Sequence, residues 1–140
     1  MFDSEFFPTP FAIALKLANV VKGSSSTVLE PSAGKGNLLD VIKSTTKHLY
    51  AIESNPELQA TLRGKGYKVI HSDFLTFSDS LKFDYVIMNP PFSNADEHFL
   101  KAFEVVADGG TVACLMNAET VDNPYSAKRR LVSDLIEKHG

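Results

Sequence analysis

The chain has almost no sulfur chemistry and no tryptophan: a single cysteine, Cys114, stands among 140 residues. One cysteine cannot form an internal disulfide. Its place in the apolar run Thr111 to Met116 makes a buried, inert thiol the natural reading, rather than a nucleophile. Long apolar runs are also missing. The longest are strand-sized, which excludes a transmembrane helix, and the acidic opening Met1-Phe2-Asp3-Ser4-Glu5 is not a signal peptide, so a cytoplasmic protein that makes no use of a membrane is expected. Nor is there an excess of positive charge. A net charge of −3 argues against a chain that grips nucleic acid unaided, because phosphate neutralisation needs concentrated Lys and Arg. No internal repeat or low-complexity tract interrupts the sequence. What remains, 44% hydrophobic and 22% charged, is ordinary globular material, and residues 1–140 are expected to form one domain with a core that needs no disulfide or metal.

The apolar pattern alternates between helical and strand periods. Phe11 to Val21 follows the Pro8-Thr9-Pro10 turn with helical spacing, Pro10 standing at a favourable first-turn position. Thr27 to Glu30 reads as a short buried strand, followed by a glycine loop to Gly36 and a helix over Asn37 to Ser44. A second strand spans His48 to Ile52, and Asn55-Pro56 opens a helix that stops near Gly64. A third strand covers Tyr67 to His71 and a fourth ends at Met88. A helix from Asp96 to Ala107 is expected to end at Asp108-Gly109-Gly110, before a fifth strand, Thr111 to Met116, and a last helix, Ala127 to Lys138. Strands and helices alternating at this spacing imply a parallel sheet covered on both faces, whose ligands bind at the C-terminal strand ends.

Those ends are polar. The first strand runs into Glu30-Pro31-Ser32-Ala33-Gly34-Lys35-Gly36, where small residues let the backbone approach a ligand, although a plain strand-to-helix turn reads the same way. Glu53 ends the second strand 19 residues beyond Gly34, a spacing that suits an acceptor for ribose hydroxyls; a surface glutamate at a helix start is the alternative. Asp73 follows the third strand. It can accept from the exocyclic amine of an adenine, with Phe74 or Leu75 against the ring, or it can serve as an N-cap or turn aspartate. His71 reads as packing or surface. Four successive strand ends that carry a glycine loop, Glu, Asp and Asn are hard to explain as unrelated accidents.

The fourth strand gives way to Asn89-Pro90-Pro91-Phe92. Each proline fixes φ near about −65° and has no N–H, so the segment is held extended with its carbonyls available as acceptors. An amide, two prolines and an aromatic ring suit a planar group that carries an NH₂.

Together these residues resemble the class I S-adenosylmethionine-dependent methyltransferases, and within them the amino methyltransferases with an Asp/Asn/Ser-Pro-Pro-aromatic signature, especially prokaryotic and phage adenine-N6 DNA methylases of restriction-modification type. The resemblance covers Phe6 to about Asn117. It implies a Rossmann-like, mostly parallel sheet of order 3-2-1-4-5 with helices on both faces. It implies S-adenosylmethionine as cofactor, held by Thr9, Pro10, Glu30, Pro31, Ser32, Ala33, Gly34, Gly36, Glu53, Ser54, Asp73, Phe74 and Asn89, with Asn89, Pro90, Pro91 and Phe92 catalytic. By the same resemblance Asn89 and Pro90 would accept hydrogen bonds from the target amine and Phe92 would stack on a flipped-out base, with no metal or covalent intermediate.

The family's sheet usually has seven strands, and only five can be counted here. The expectation is a catalytic domain incomplete at its C-terminal end and without a target-recognition domain, whose strand-five edge is covered by a partner subunit or a second copy. Lys128-Arg129-Arg130 could touch phosphates or could be the solvated face of a helix, and Asn117, Glu119 and Asn123-Pro124-Tyr125 border the cleft or simply form a loop. The leading expectation for the substrate is adenine N6 in DNA. RNA bases and protein glutamine amides stay open as alternatives, as does a non-catalytic binding module on the same fold.

Overall fold

The computed structural model describes residues 11–88 and 95–114, apart from the side chains of Ile13 and Ala95. Its elements are α1 (Phe11–Ala18), β1 (Val28–Glu30), α2 (Asn37–Ile42), β2 (Leu49–Ile52), α3 (Pro56–Gly64), β3 (Lys68–His71), a 3-10 turn (Phe74–Thr76), β4 (Phe83–Met88), α4 (Ala95–Val105) and β5 (Val106–Cys114). Thr9, Pro10, the Asn89 to Phe92 segment and everything expected after Cys114, including Lys128-Arg129-Arg130 and the last helix, lie outside the described residues.

The five strands form one sheet of order β3-β2-β1-β4-β5, and every neighbouring pair is parallel. The order reverses between β1 and β4, so the crevice that such sheets use for ligands opens beside Glu30 and Met88. Both faces are buried because successive residues of a central strand point to opposite sides. Val28, Ala51 and Ile87 join Ala14, Leu38, Leu39, Ile42 and Leu62 on the face covered by α1, α2 and α3. Their chain neighbours Leu29, Ile52, Val86 and Met88 join Phe74, Phe99, Ala102 and Val105 on the face covered by α4 and the 3-10 turn. Each fully buried Leu, Ile or Phe contributes about 1.5–3 kcal/mol by leaving water, which is how strands of three and four residues hold the sheet.

The largest departure from expectation is at β5. Val106 and Ala107 were expected to finish α4 and Asp108-Gly109-Gly110 to cap it, yet α4 stops at Val105 and β5 begins at once. Phe83 pairs with Val106 and Tyr85 with Thr111, so β5 carries extra residues that bow out from β4 before regular pairing resumes up to Cys114 opposite Met88. Gly109 supplies the turn with φ 79°, and a Cβ on Gly110 would lie 2.7 Å from the Asp84 carbonyl oxygen. The Asp-Gly-Gly signal therefore marks a bend, but one inside the strand pairing. α1 and α2 are also shorter than expected, ending at Ala18 and Ile42.

Candidate functional site

The loop after β1 turns through two glycines in the left-handed region, Gly34 (φ 59°) and Gly36 (φ 87°). Gly36 donates to the Ala33 carbonyl over 2.9 Å and stands immediately before α2. The space beside it is already filled. A Cβ there would sit 3.0 Å from Leu62 Cδ2 and 3.1 Å from Tyr67 Cε2, so conformation and packing both require glycine. Pro31, Ala33, Gly34 and Gly36 are buried, Ser32 is half-buried and Lys35 is exposed.

Glu53, at the C-terminal end of β2, holds this loop. Gly34 N–H donates to its Oε1 over 2.8 Å, and Asn55 N–H donates to its Oε2 over 2.8 Å. The side chain is 8% exposed, so the alternative of a surface glutamate is set aside in the described structure. The same strand end is tied to both neighbours: Ala33 N–H donates to the Ile52 carbonyl over 3.1 Å, and Glu53 N–H donates to the His71 carbonyl over 3.3 Å. The ends of β1, β2 and β3 thereby form one continuous rim. Ser54, next along it, is exposed.

Glu30 lies beneath the rim with 2% exposure, and its Oε1 has no hydrogen-bond partner among the described residues. Burial, and then the nearby Glu53 carboxylate, push its pKa well above the ordinary glutamate value. A carboxyl group in that position holds its proton at pH values where an exposed glutamate would be ionised. An acid group kept out of water with an unused oxygen is a costly feature for a purely structural turn, and it suits a ligand that presents N–H or ammonium.

Asp73 caps the 3-10 turn: its Oδ1 accepts from Leu75 N–H over 3.0 Å while the residue stays exposed. Asp73 is therefore a capping turn aspartate, as one of its two readings required. Phe74 is 1% exposed and packs its ring 5.6 Å from that of His98, so it belongs to the core below the rim, whereas Leu75 is half-buried. His71 behaves as packing, with Nε2 3.1 Å from Thr76 Oγ1 and its ring 5.6 Å from Phe77. Cys114, at the end of β5, is half-buried rather than fully buried as expected, and burial pushes its thiol pKa up. Asn89 follows Met88 directly in the chain, but its placement is outside the described residues.

Several supporting residues had no signal in the sequence. Gln59 Nε2 donates to the Glu53 carbonyl over 2.6 Å, and Lys65 Nζ donates to the Lys35 carbonyl over 2.7 Å and to Asp40 Oδ2 over 2.9 Å. Asn55 was legible as the cap of α3, and its Oδ1 accepts from Glu57 and Leu58 N–H. That its own N–H would serve Glu53 was not.

The parallel 3-2-1-4-5 sheet with its helices has the Rossmann-like fold found in solved methyltransferases. Among solved structures it is similar to the N-methyltransferase NodS from Bradyrhizobium japonicum WM9, 16% identical with a TM-score of 0.64, covering 89% of this chain and 79% of that one. It is also similar to the S-adenosylmethionine-bound amino pentose methyltransferase CalS10 from Micromonospora echinaspora, 16% identical with a TM-score of 0.63, covering 85% and 61%. In sequence, 86 residues are 33% identical to a tRNA1(Val) (adenine(37)-N6)-methyltransferase of Aliivibrio fischeri, spanning 54% of this chain and 37% of that enzyme. The chain thus matches little more than a third of that relative's length. No protein-family model matches it. Among the described residues no helix is long and apolar enough to cross a membrane.

Proposed function

We propose that the chain is an S-adenosylmethionine-dependent N-methyltransferase acting on the N6 amine of adenine in a nucleic acid. The observation that carries the reading is the Gly34 N–H to Glu53 Oε1 hydrogen bond, which joins the glycine loop and the β2 acid into one rim above the unsatisfied Glu30 carboxyl. The residues present fit the cofactor's chemistry: Glu53 retains lone pairs for ribose hydroxyls, Asp73 an oxygen for the adenine amine, and Glu30 an acceptor for a cationic amine. The cofactor, when bound, supplies an electrophilic methyl group on a sulfonium.

The chain's own part is to position and polarise the target. An aromatic amine is a weak nucleophile because its lone pair is delocalised into the ring. Acceptance of its N–H bonds by the Asn89 side-chain oxygen and the Pro90 carbonyl favours a tetrahedral nitrogen, and Phe92 stacks on the base extracted from its helix. The Asn-Pro-Pro-Phe segment suits DNA and RNA equally. The Aliivibrio fischeri relative, named for a tRNA adenine, supports structured RNA as the first substrate to test and DNA as the second. β5 is one of the two outer strands of the five described, and pairing with a partner subunit or a second copy there belongs to the same reading.

The test is calorimetry with S-adenosylmethionine, followed by transfer of labelled methyl to unmodified tRNA, duplex DNA and protein. Binding with transfer to adenine N6 in either nucleic acid is expected, with Asn89→Ala abolishing transfer while leaving binding intact. A wild-type chain that binds no cofactor sinks the enzyme reading and leaves the binding module.

A further inference from the structure

α3 is fastened to the glycine loop at both of its ends. At its start, Asn55 N–H and Gly34 N–H share the Glu53 carboxylate, and Gln59 holds the Glu53 carbonyl. At its end, Lys65 is the C-cap residue, and its Nζ reaches the Lys35 carbonyl at 2.7 Å, between the two left-handed glycines. Nine helical residues extend over roughly 13 Å, so one rigid element grips the loop at two separated points.

The second grip is itself braced. Lys65 Nζ is 2.9 Å from Asp40 Oδ2, in the first turn of α2, and Asp40 Oδ1 accepts from Tyr67 Oη over 2.5 Å. Tyr67 in turn places its ring edge against Gly36. Burial opposes ionisation of Asp40, but the hydrogen bonds from Tyr67 and Lys65 and the charges of Lys65 and Lys43 outweigh it, so the carboxylate is held below its ordinary pKa. The ammonium is thus oriented by a fixed anion and can reach the carbonyl without first being immobilised. A half-exposed ion pair adds little to folding stability. Its geometry instead fixes which way the Lys35 peptide faces, and with it the direction of the neighbouring loop N–H groups.

We propose that Lys65, oriented by Asp40 and Tyr67, is a positioning residue that presets the glycine loop for the cofactor. It never touches the ligand, and it acts by removing the ordering that the loop would otherwise undergo on binding. The inference rests on the methyltransferase reading above.

The experiment compares wild type, Lys65→Met and Lys65→Arg by two measurements: amide hydrogen exchange in the ligand-free protein and calorimetric affinity for S-adenosylmethionine. In Lys65→Met the Gly34 and Gly36 amides should exchange about tenfold faster, with the amides of Leu29 and Ala51 unchanged. Affinity should weaken about fivefold, the upper end of what a half-exposed charged contact supplies. Lys65→Arg should restore most of both. A Lys65→Met protein with wild-type affinity, or with exchange raised evenly across the sheet, overturns the inference while leaving the methyltransferase reading in place. A wild-type chain that binds no cofactor overturns both, and the ligand-free exchange data then show separately whether Lys65 orders the loop.

Discussion

Gly34 N–H and Glu53 Oε1 meet at 2.8 Å, although 19 residues separate them in the chain. With Asn55 N–H on the other oxygen, a single buried carboxylate closes the glycine loop and starts α3. Glu53→Ala should therefore cost about 2–3 kcal/mol in urea unfolding, because two sheltered N–H groups lose a charged acceptor. Glu53→Gln should recover only part of this, since its NH₂ would face one of the two donors. Under the proposed function, in which Glu53 serves loop and ligand together, both variants should bind S-adenosylmethionine at least about tenfold more weakly in calorimetry.

Gly36 tests the packing of the same loop. An alanine there meets a backbone at φ 87°, with Leu62 Cδ2 and Tyr67 Cε2 at 3.0 and 3.1 Å, closer than an ordinary carbon–carbon contact. Gly36→Ala should destabilise by about 1–2 kcal/mol and lower Tm accordingly. An unchanged Tm would mean that Leu62 and Tyr67 yield without cost.

Glu30 gives a pH dependence with a definite sign. Its folded pKa is raised by burial and by Glu53, so between the ordinary glutamate value and the raised one the folded chain binds more protons than the unfolded chain. The stabilising contribution is full at low pH and is lost as pH rises through the folded pKa. Glu30→Gln cannot ionise and should show a shallower fall in Tm than wild type as pH rises above the ordinary glutamate pKa. Equal slopes would place the Glu30 proton elsewhere.

Asn55 links the cap of α3 to the rim. Asn55→Ala leaves Glu57 and Leu58 N–H without their side-chain acceptor and should cost about 1 kcal/mol, while Asn55→Ser should recover most of it. Thermal melts of the three proteins in one buffer should rank wild type and Ser above Ala.

The site was legible where one residue's chemistry is tied to a strand end. Gly34, Glu53 and Asp73 stand out because short apolar runs stop beside them, and the period of two that marks those runs is a local property. The supports were not legible. Nothing near Lys65 in the chain indicates that its ammonium will find a carbonyl 30 residues away, and Phe74 beside Asp73 gives no sign that its ring goes to the core. β5 failed for a related reason: Asp108-Gly109-Gly110 signals a bend, and only pairing with Phe83 and Tyr85 decides whether that bend ends a helix or interrupts a strand.

Composition and periodicity, then, determined an alternating α/β chain with one cysteine, a glycine loop and polar strand ends, since helix, strand and turn preferences act over a few residues. The tertiary structure alone decided that Glu53 is buried and shared, that Glu30 is buried with its pKa raised, and that α3 grips the loop at both ends. Burial and distance between remote residues set those properties, and neither exists until the sheet has brought β1, β2 and β3 side by side.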